Sequence, residues 1–355
     1  MKQLGIYIHI PFCRSKCPYC DFFSLVKTDT AETYIEAVNR RLKEYQTGEY
    51  TADTLYIGGG TPSVLTGEQV ASMIETVKTH YGTPAEITVE CNPSDVDETF
   101  LRCIYDAGAN RLSFGMQSAV DAERRALGRR ADRAQVENAV RLAANIGFSN
   151  ISLDLMLGIP HQTAESLHES ICFCASLPVQ HISAYILKIE EGTYFGKHRD
   201  VLILPDEDST ADLYLQAVEE LEAAGFKQYE ISNFVKPGFE SRHNLKYWHL
   251  EEYLGVGAAA HSFVGGRRFF YERDIAGFLA GAKPIDDGAG GDREEAIMLA
   301  LRLTEGVETA LLSGNARQKL PFLIERGYVT EHGGRVAFTP QGFLISNTLI
   351  AELTE

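Results

Sequence analysis

Positive charge is scarce in this sequence. Its 33 Lys and Arg stand against 49 Asp and Glu, a formal net charge of −16. Binding to a phosphate backbone depends on cations that displace counterions, so no nucleic-acid partner is expected. Long hydrophobic runs are missing as well: no stretch of eighteen apolar residues occurs, which removes the signal of a membrane-spanning helix. The opening Leu4-Gly5-Ile6-Tyr7-Ile8 lacks the basic region, apolar core and small-residue cleavage site of a secretory leader. A cytoplasmic protein with at most peripheral membrane contact is expected. A disulfide framework is not, because the seven cysteines are odd in number, three are clustered, and Cys91, Cys103, Cys172 and Cys174 are scattered through segments that read as core. Cys172 and Cys174, two apart on a presumed helix, read as buried small hydrophobes, although that spacing does not put both on one helical face.

What the sequence does have is concentrated near its start. Cys13, Cys17 and Cys20 lie in His9-Ile-Pro-Phe-Cys-Arg-Ser-Lys-Cys-Pro-Tyr-Cys20, directly after an apolar, strand-like run. At this cysteine frequency about 0.003 chance matches to the triple spacing are expected per chain, so the cluster is a motif. A loop this tight can aim three thiolates at one point and supplies no fourth. An iron–sulfur cube held there keeps one iron open to a small-molecule ligand. Structural zinc usually takes four protein ligands, and no second Cys or His pair follows at a suitable distance. His9, one strand step from Tyr7, reads as a structural donor rather than a ligand.

From residue 4 to about 230, short β-rich runs alternate with helix-like stretches. The runs Leu4–Ile10, Thr54–Ile57, Glu86–Cys91, Arg111–Met116, Asn150–Met156 and His181–Leu187 are separated or followed by helical segments near 31–46, 67–80, 97–107, 133–146, 164–176 and 208–224. Thr66, Asp97 and Asp208 suit helix starts, and Gly108, Gly147 and Gly225 suit helix ends. This alternation implies an α/β fold with a parallel sheet, a partial (β/α)6 barrel, with an open doubly wound sheet as the alternative. The division expected is a barrel over 1–235, an irregular connecting segment over 236–290, and a C-terminal module over 291–355. Helices 293–303, Leu320–Arg326 and 341–353, with a hairpin about Gly333-Gly334, make that module resemble a winged helix without a basic face. A structural or partner-docking role suits it.

Parallel α/β proteins place their chemistry where strands end. There lie the cysteine loop, Gly58-Gly59-Gly60-Thr61-Pro62, Glu90-Cys91-Asn92-Pro93, Gln117 and Asp154. The glycine run has no Lys or Ser/Thr at the Walker spacing, so it is not a nucleotide P-loop; it can let backbone approach a ligand, or simply turn the chain. Glu90 and Asp154, set among apolar strand residues, each need a partner. Ribose hydroxyls, a cofactor amine, or an internal arginine such as Arg111 or Arg129 all satisfy that need. Gln117 can read an adenine or ribose edge or finish a strand.

The three-cysteine loop with an aromatic before its last Cys resembles the signature of the radical S-adenosylmethionine (SAM) superfamily. Within it, the chain is similar over nearly its whole length to the branch shared by oxygen-independent coproporphyrinogen III oxidases and heme chaperones. The resemblance rests on Tyr7-Ile8-His9-Ile10-Pro11-Phe12-Cys13, Gly58–Ser63, Leu153-Asp154-Leu155-Met156-Leu157-Gly158-Ile159-Pro160 and the tail. It implies a [4Fe–4S] cluster on Cys13, Cys17 and Cys20 whose open iron is chelated by SAM. SAM contacts are implied at Tyr7, Gly59, Gly60, Thr61 and Glu90, with further contacts at Tyr19, Gln117, Arg129 and Asp154. One or two SAM molecules fit this pattern.

Two departures separate the branch members. Phe22 stands where the oxidases carry a fourth cysteine, and twelve residues precede Cys13 where the oxidases have a longer extension. Conversely, His243-Asn244-Leu245-Lys246-Tyr247-Trp248 matches the HNxxYW signature of the heme chaperones. His243 is then a candidate heme ligand with Tyr247 and Trp248 covering the porphyrin; alternatively it pins an irregular segment. The histidine frequent after Leu127-Gly128-Arg129 is replaced by Arg130-Ala131, and its role does not transfer. The resemblance implies a chaperone that binds heme, cluster and SAM and delivers heme to respiratory-chain hemoproteins, without coproporphyrinogen oxidase activity. A homodimer is compatible with it. A radical SAM oxidoreductase of the coproporphyrinogen III oxidase type is the alternative.

Overall fold

The computed structural model describes residues 1–355. Strands β1 (Lys2–Ile10), β2 (Tyr50–Gly59), β3 (Glu86–Cys91), β4 (Arg111–Gln117), β5 (Asn150–Leu157) and β6 (His181–Ile186) pair in parallel and in chain order. A doubly wound sheet reverses its direction of strand addition at a switch point. Among β1–β6 no such reversal occurs, so right-handed crossovers carry the helices along one face and these six strands form the expected partial barrel.

Local chemistry sets the element ends. Thr66 and Gln69 form a reciprocal capping box on helix Gly67–Tyr81, and the Asp97 carboxylate accepts from the Phe100 amide at the start of Glu98–Ala107. Gly108 and Gly147 end their helices with φ of 111° and 129°, a region that favours glycine. One start differs from the sequence reading. The sixth crossover helix, Glu207–Ala223, is capped by Asp206 rather than Asp208, because Asp206 is the residue placed to accept from the Ser209 amide.

The segment over 236–290 is not irregular. Helix Arg242–Trp248 and strand β9 (Tyr253–Val256), parallel to β1, lie within it, as do β10 (His261–Val264), β11 (Arg267–Phe270) and β12 (Ile285–Ala289). With β7 (Lys227–Glu230) and β8 (Asn233–Val235) antiparallel beyond β6, the sheet reaches twelve strands. These flanking strands hold three to five residues each, too few for alternation to show, and tertiary pairing decides them.

In the tail, strand Arg335–Phe338 lies between Val307–Glu308 and Val329–His332. Helix Gly314–Glu325 starts earlier than expected, capped by Ser313, and the last helical stretch divides at Ile345 into Pro340–Leu344 and Ser346–Thr354. Of the two cysteines in helix Ala164–Ala175, Cys174 is buried and Cys172 is exposed. Two residues along a helix turn the chain to its opposite side, which corrects the reading of both as buried.

Candidate functional site

The cysteine loop leaves the carboxyl end of β1 with its neck closed. The Cys13 amide donates to the Leu25 carbonyl at 2.9 Å and the Leu25 amide to the Pro11 carbonyl at 2.8 Å. Phe12, fully buried, packs edge-on against Tyr34 with ring centroids 5.4 Å apart. The β2 turn is tied to the same neck: the Gly60 and Thr61 amides donate to the carbonyls of Ile10 and Phe12, each at 2.8 Å. A Cβ on Gly60 would sit 2.7 Å from both of those carbonyl oxygens, and one on Gly58 2.8 Å from the Glu90 carboxyl carbon. At these two positions the glycine run answers a close approach within the protein.

All three thiols are free and partly exposed, and they line one cavity of about 160 Å³. No three His, Cys, Asp or Glu side chains converge tightly enough to hold a single metal ion. A cubane differs in need, since each thiolate takes a different iron and the sulfurs must surround a space. The Cys13 sulfur lies 3.3 Å from the Thr61 hydroxyl, and the Cys17 sulfur accepts from the Arg129 guanidinium at 3.8 Å. Burial pushes the Cys20 thiol up, a cost that a bound cation removes.

Opposite the thiols stand the carboxylates. Glu90 accepts from the Tyr56 hydroxyl at 2.7 Å and the Gly59 amide at 3.0 Å, and Asp154 accepts from the Ser113 hydroxyl at 3.3 Å. Their direct partners are hydroxyls and an amide rather than Arg111 or Arg129. Burial, and then the charge of Glu90, pushes the Asp154 carboxyl up to about 7; burial also raises Glu90. Gln117 sits at a bulge in β4 with φ 74° and accepts from the Tyr185 hydroxyl at 2.9 Å. Arg129 donates to the Gly115 carbonyl while its Nε, buried, has no partner. Tyr19, Gly59, Gly60 and Thr61 complete the wall.

Sequence reasoning missed part of this cavity. Asp95, in the turn after β3, receives Arg14 at 2.9 Å and Arg130 at 3.0 Å on one oxygen, and its other oxygen is buried without a partner. This bridge joins the cysteine loop to the segment after Arg129, and Ser113 and Tyr185 contribute further wall. The motif context of Arg130 pointed to this place, but the partner across the rim is visible only in three dimensions.

Two expected residues lie elsewhere. Tyr7, expected among the SAM contacts, lines a second cavity of about 700 Å³ instead, because its hydroxyl is drawn to His9 Nδ1 at 2.9 Å. His243, the candidate heme ligand, is fully buried at the amino end of the strands. Its Nδ1 bonds the Thr54 hydroxyl at 2.8 Å and its Nε2 the Tyr247 hydroxyl at 2.9 Å, which leaves no nitrogen for iron. Helix Arg242–Trp248 is docked through its first amides, those of Arg242 and His243, on the Glu86 carboxylate at 3.0 Å each. Lys246 adds ion pairs with Asp53 at 2.7 Å and Glu251 at 2.8 Å. Tyr247 faces the second cavity, while Trp248 lines a groove against the C-terminal helices and does not share a face with it.

Residues 7–174 match the model of the radical SAM superfamily. Heme chaperone HemW of Bacillus subtilis is 37% identical, with 96% of each chain covered. Heme chaperone HemW of Escherichia coli is 35% identical over 99% of this chain and 98% of its own. Among solved structures, E. coli coproporphyrinogen III oxidase (HemN), described as a radical SAM enzyme, superposes with a TM-score of 0.84 at 20% identity, covering 99% of this chain and 90% of its own; that likeness speaks for the fold. A three-thiol loop over a polar cavity, on a partial barrel and within near end-to-end similarity to these relatives, leads to one conclusion: the chain belongs to the radical SAM superfamily and, within it, to the HemW heme chaperone family.

Proposed function

We propose that this protein is a cytoplasmic heme chaperone that binds a [4Fe–4S] cluster, SAM and heme and passes heme to respiratory-chain hemoproteins. The observation that carries the reading is the single cavity lined by three free thiols, the half-buried carboxylates of Glu90 and Asp154 and the Arg129 side chain. Cys13, Cys17 and Cys20 would hold the cluster. The oxygens of Glu90 and Asp154 suit amino and hydroxyl groups of SAM, with Tyr19, Gln117, Arg129 and the Gly59–Thr61 backbone closing around it. When bound, the cluster supplies an electron that SAM can accept. The chain's own work is positional: Thr61 and Arg129 steady two sulfurs, and the Arg14–Asp95–Arg130 bridge holds the loop over the cavity.

In this reading residues 1–235 carry cluster and SAM, 236–290 the heme element and 291–355 a docking module. No helix is long and apolar enough to cross a membrane, so contact with membrane-bound acceptors is peripheral. Phe22, where the related oxidases have cysteine, argues against the oxidase alternative. Anaerobic reconstitution followed by heme titration tests the proposal. A [4Fe–4S] spectrum that changes on adding SAM, together with saturable heme binding, is expected; bound zinc, or Cys13-dependent decarboxylation of coproporphyrinogen III, would overturn it.

A further inference from the structure

The second cavity offers what His243 does not. Of the histidines near it, His9 is buried with Nδ1 on the Tyr7 hydroxyl and Nε2 on the Phe23 carbonyl, both at 2.9 Å. His261, at the start of β10, is exposed on the cavity wall and its ring makes no hydrogen bond in the structure. The imidazole is oriented all the same, stacked on Phe270 of β11 with centroids 5.1 Å apart and planes 22° apart.

The surroundings suit a flat macrocycle. At about 700 Å³ the cavity lies within the roughly 300–1,000 Å³ typical of small-molecule sites. Tyr7, Tyr247, Tyr253 and Phe270 supply aromatic surface. Arg273 stands at the rim, 64% exposed, in a 3.5 Å pair with Asp21 of the cysteine loop. An exposed pair of this kind is weak, so a ligand carboxylate can displace it. The turn before His261 is strained and well tied. Ala259 has φ 70°, its amide donates to the Glu272 carbonyl at 3.0 Å, and the Tyr34 hydroxyl bonds both the Ala258 amide and the His9 carbonyl. Such strain persists where the surrounding structure demands it. Phe22 lines this cavity and the thiol cavity alike, a partition between them.

We propose that heme sits in this aromatic cavity with the His261 imidazole as axial ligand to its iron and Arg273 paired to a propionate. The assignment rests on the heme-chaperone reading. Hemin titration of the anaerobically reconstituted full-length protein, followed by absorption and resonance Raman spectra, tests it with His261→Ala and His261→Met. The alanine variant should keep its cluster and SAM-dependent spectra, lose the histidine-ligated Soret spectrum, bind hemin about tenfold or more weakly, and recover the spectrum when free imidazole is added. The methionine variant, which keeps a donor atom, should bind hemin with an altered spectrum. An unchanged spectrum and affinity in both, or loss of ligation in His243→Ala alone, would overturn the assignment. Wild-type protein that binds no hemin would instead overturn the chaperone reading beneath it.

Discussion

Cys17 has the Arg129 guanidinium beside its sulfur and shares its cavity with Cys13 and Cys20. Replacing it with serine leaves two thiolates for a cluster that needs three, so Cys17→Ser should abolish the iron–sulfur spectrum; a stable cluster in that variant would refute the ligand set. His243 shows the limit of reading a motif. Its histidine, tyrosine and tryptophan lie within six residues of sequence, but the helix sends them to a buried brace, the aromatic cavity and the C-terminal groove. His243→Ala should therefore cost roughly 1–3 kcal/mol, as for an unsatisfied buried contact, measured by chemical denaturation, with the cluster spectrum kept. Glu230 gives a pH signature. Buried near the β7–β8 turn, its carboxyl is pushed up from 4.5 to about 7 by loss of solvent. The folded state then binds more protons than the unfolded between those values, and stability falls as pH rises through that window. Glu230→Gln should stabilise the protein at pH 8 by on the order of 3 kcal/mol and lose that advantage near pH 4.5, as read by denaturation midpoints across pH.

At the scale of elements, the β2 turn and the cysteine loop are one unit, joined by amides on carbonyls with no room for a side chain between them. Gly60→Ala must push Ile10 and Phe12 apart. It should destabilise by about 1–3 kcal/mol and lower the iron and sulfide retained per chain. Gly314→Ala, at a helix start with open space around it, should do neither. The six long strands and their crossovers were legible because each carries enough apolar residues for a period to show, and because Thr66, Asp97, Gly108 and Gly147 mark ends chemically. The short flanking strands were not. β9 finds its partner in β1, paired from Gly5↔Tyr253 to Ile8↔Val256, and no local pattern announces a pairing that distant. The same holds for the site: residues at strand ends could be named, but the Asp95 bridge and the diversion of Tyr7 to His9 depend on which loops meet.

The whole molecule sets two cavities side by side at the cysteine loop that follows β1, one walled by thiols and carboxylates, the other by aromatic rings and a free imidazole, with Phe22 lining both. This arrangement accounts for a fold close to that of an oxidase in a chain whose relatives are named as chaperones. The thiol cavity lies beside a second space that suits a flat, iron-bearing guest. The most direct measurement is heme transfer. Cluster-reconstituted protein loaded with heme is mixed anaerobically with an apo respiratory hemoprotein, and the Soret band of the acceptor is followed. The account predicts that the acceptor's holo spectrum grows as the donor's declines, without consumption of coproporphyrinogen III supplied alongside. Retention of all heme by the donor, with coproporphyrinogen III decarboxylated at a rate that depends on Cys13, would contradict it.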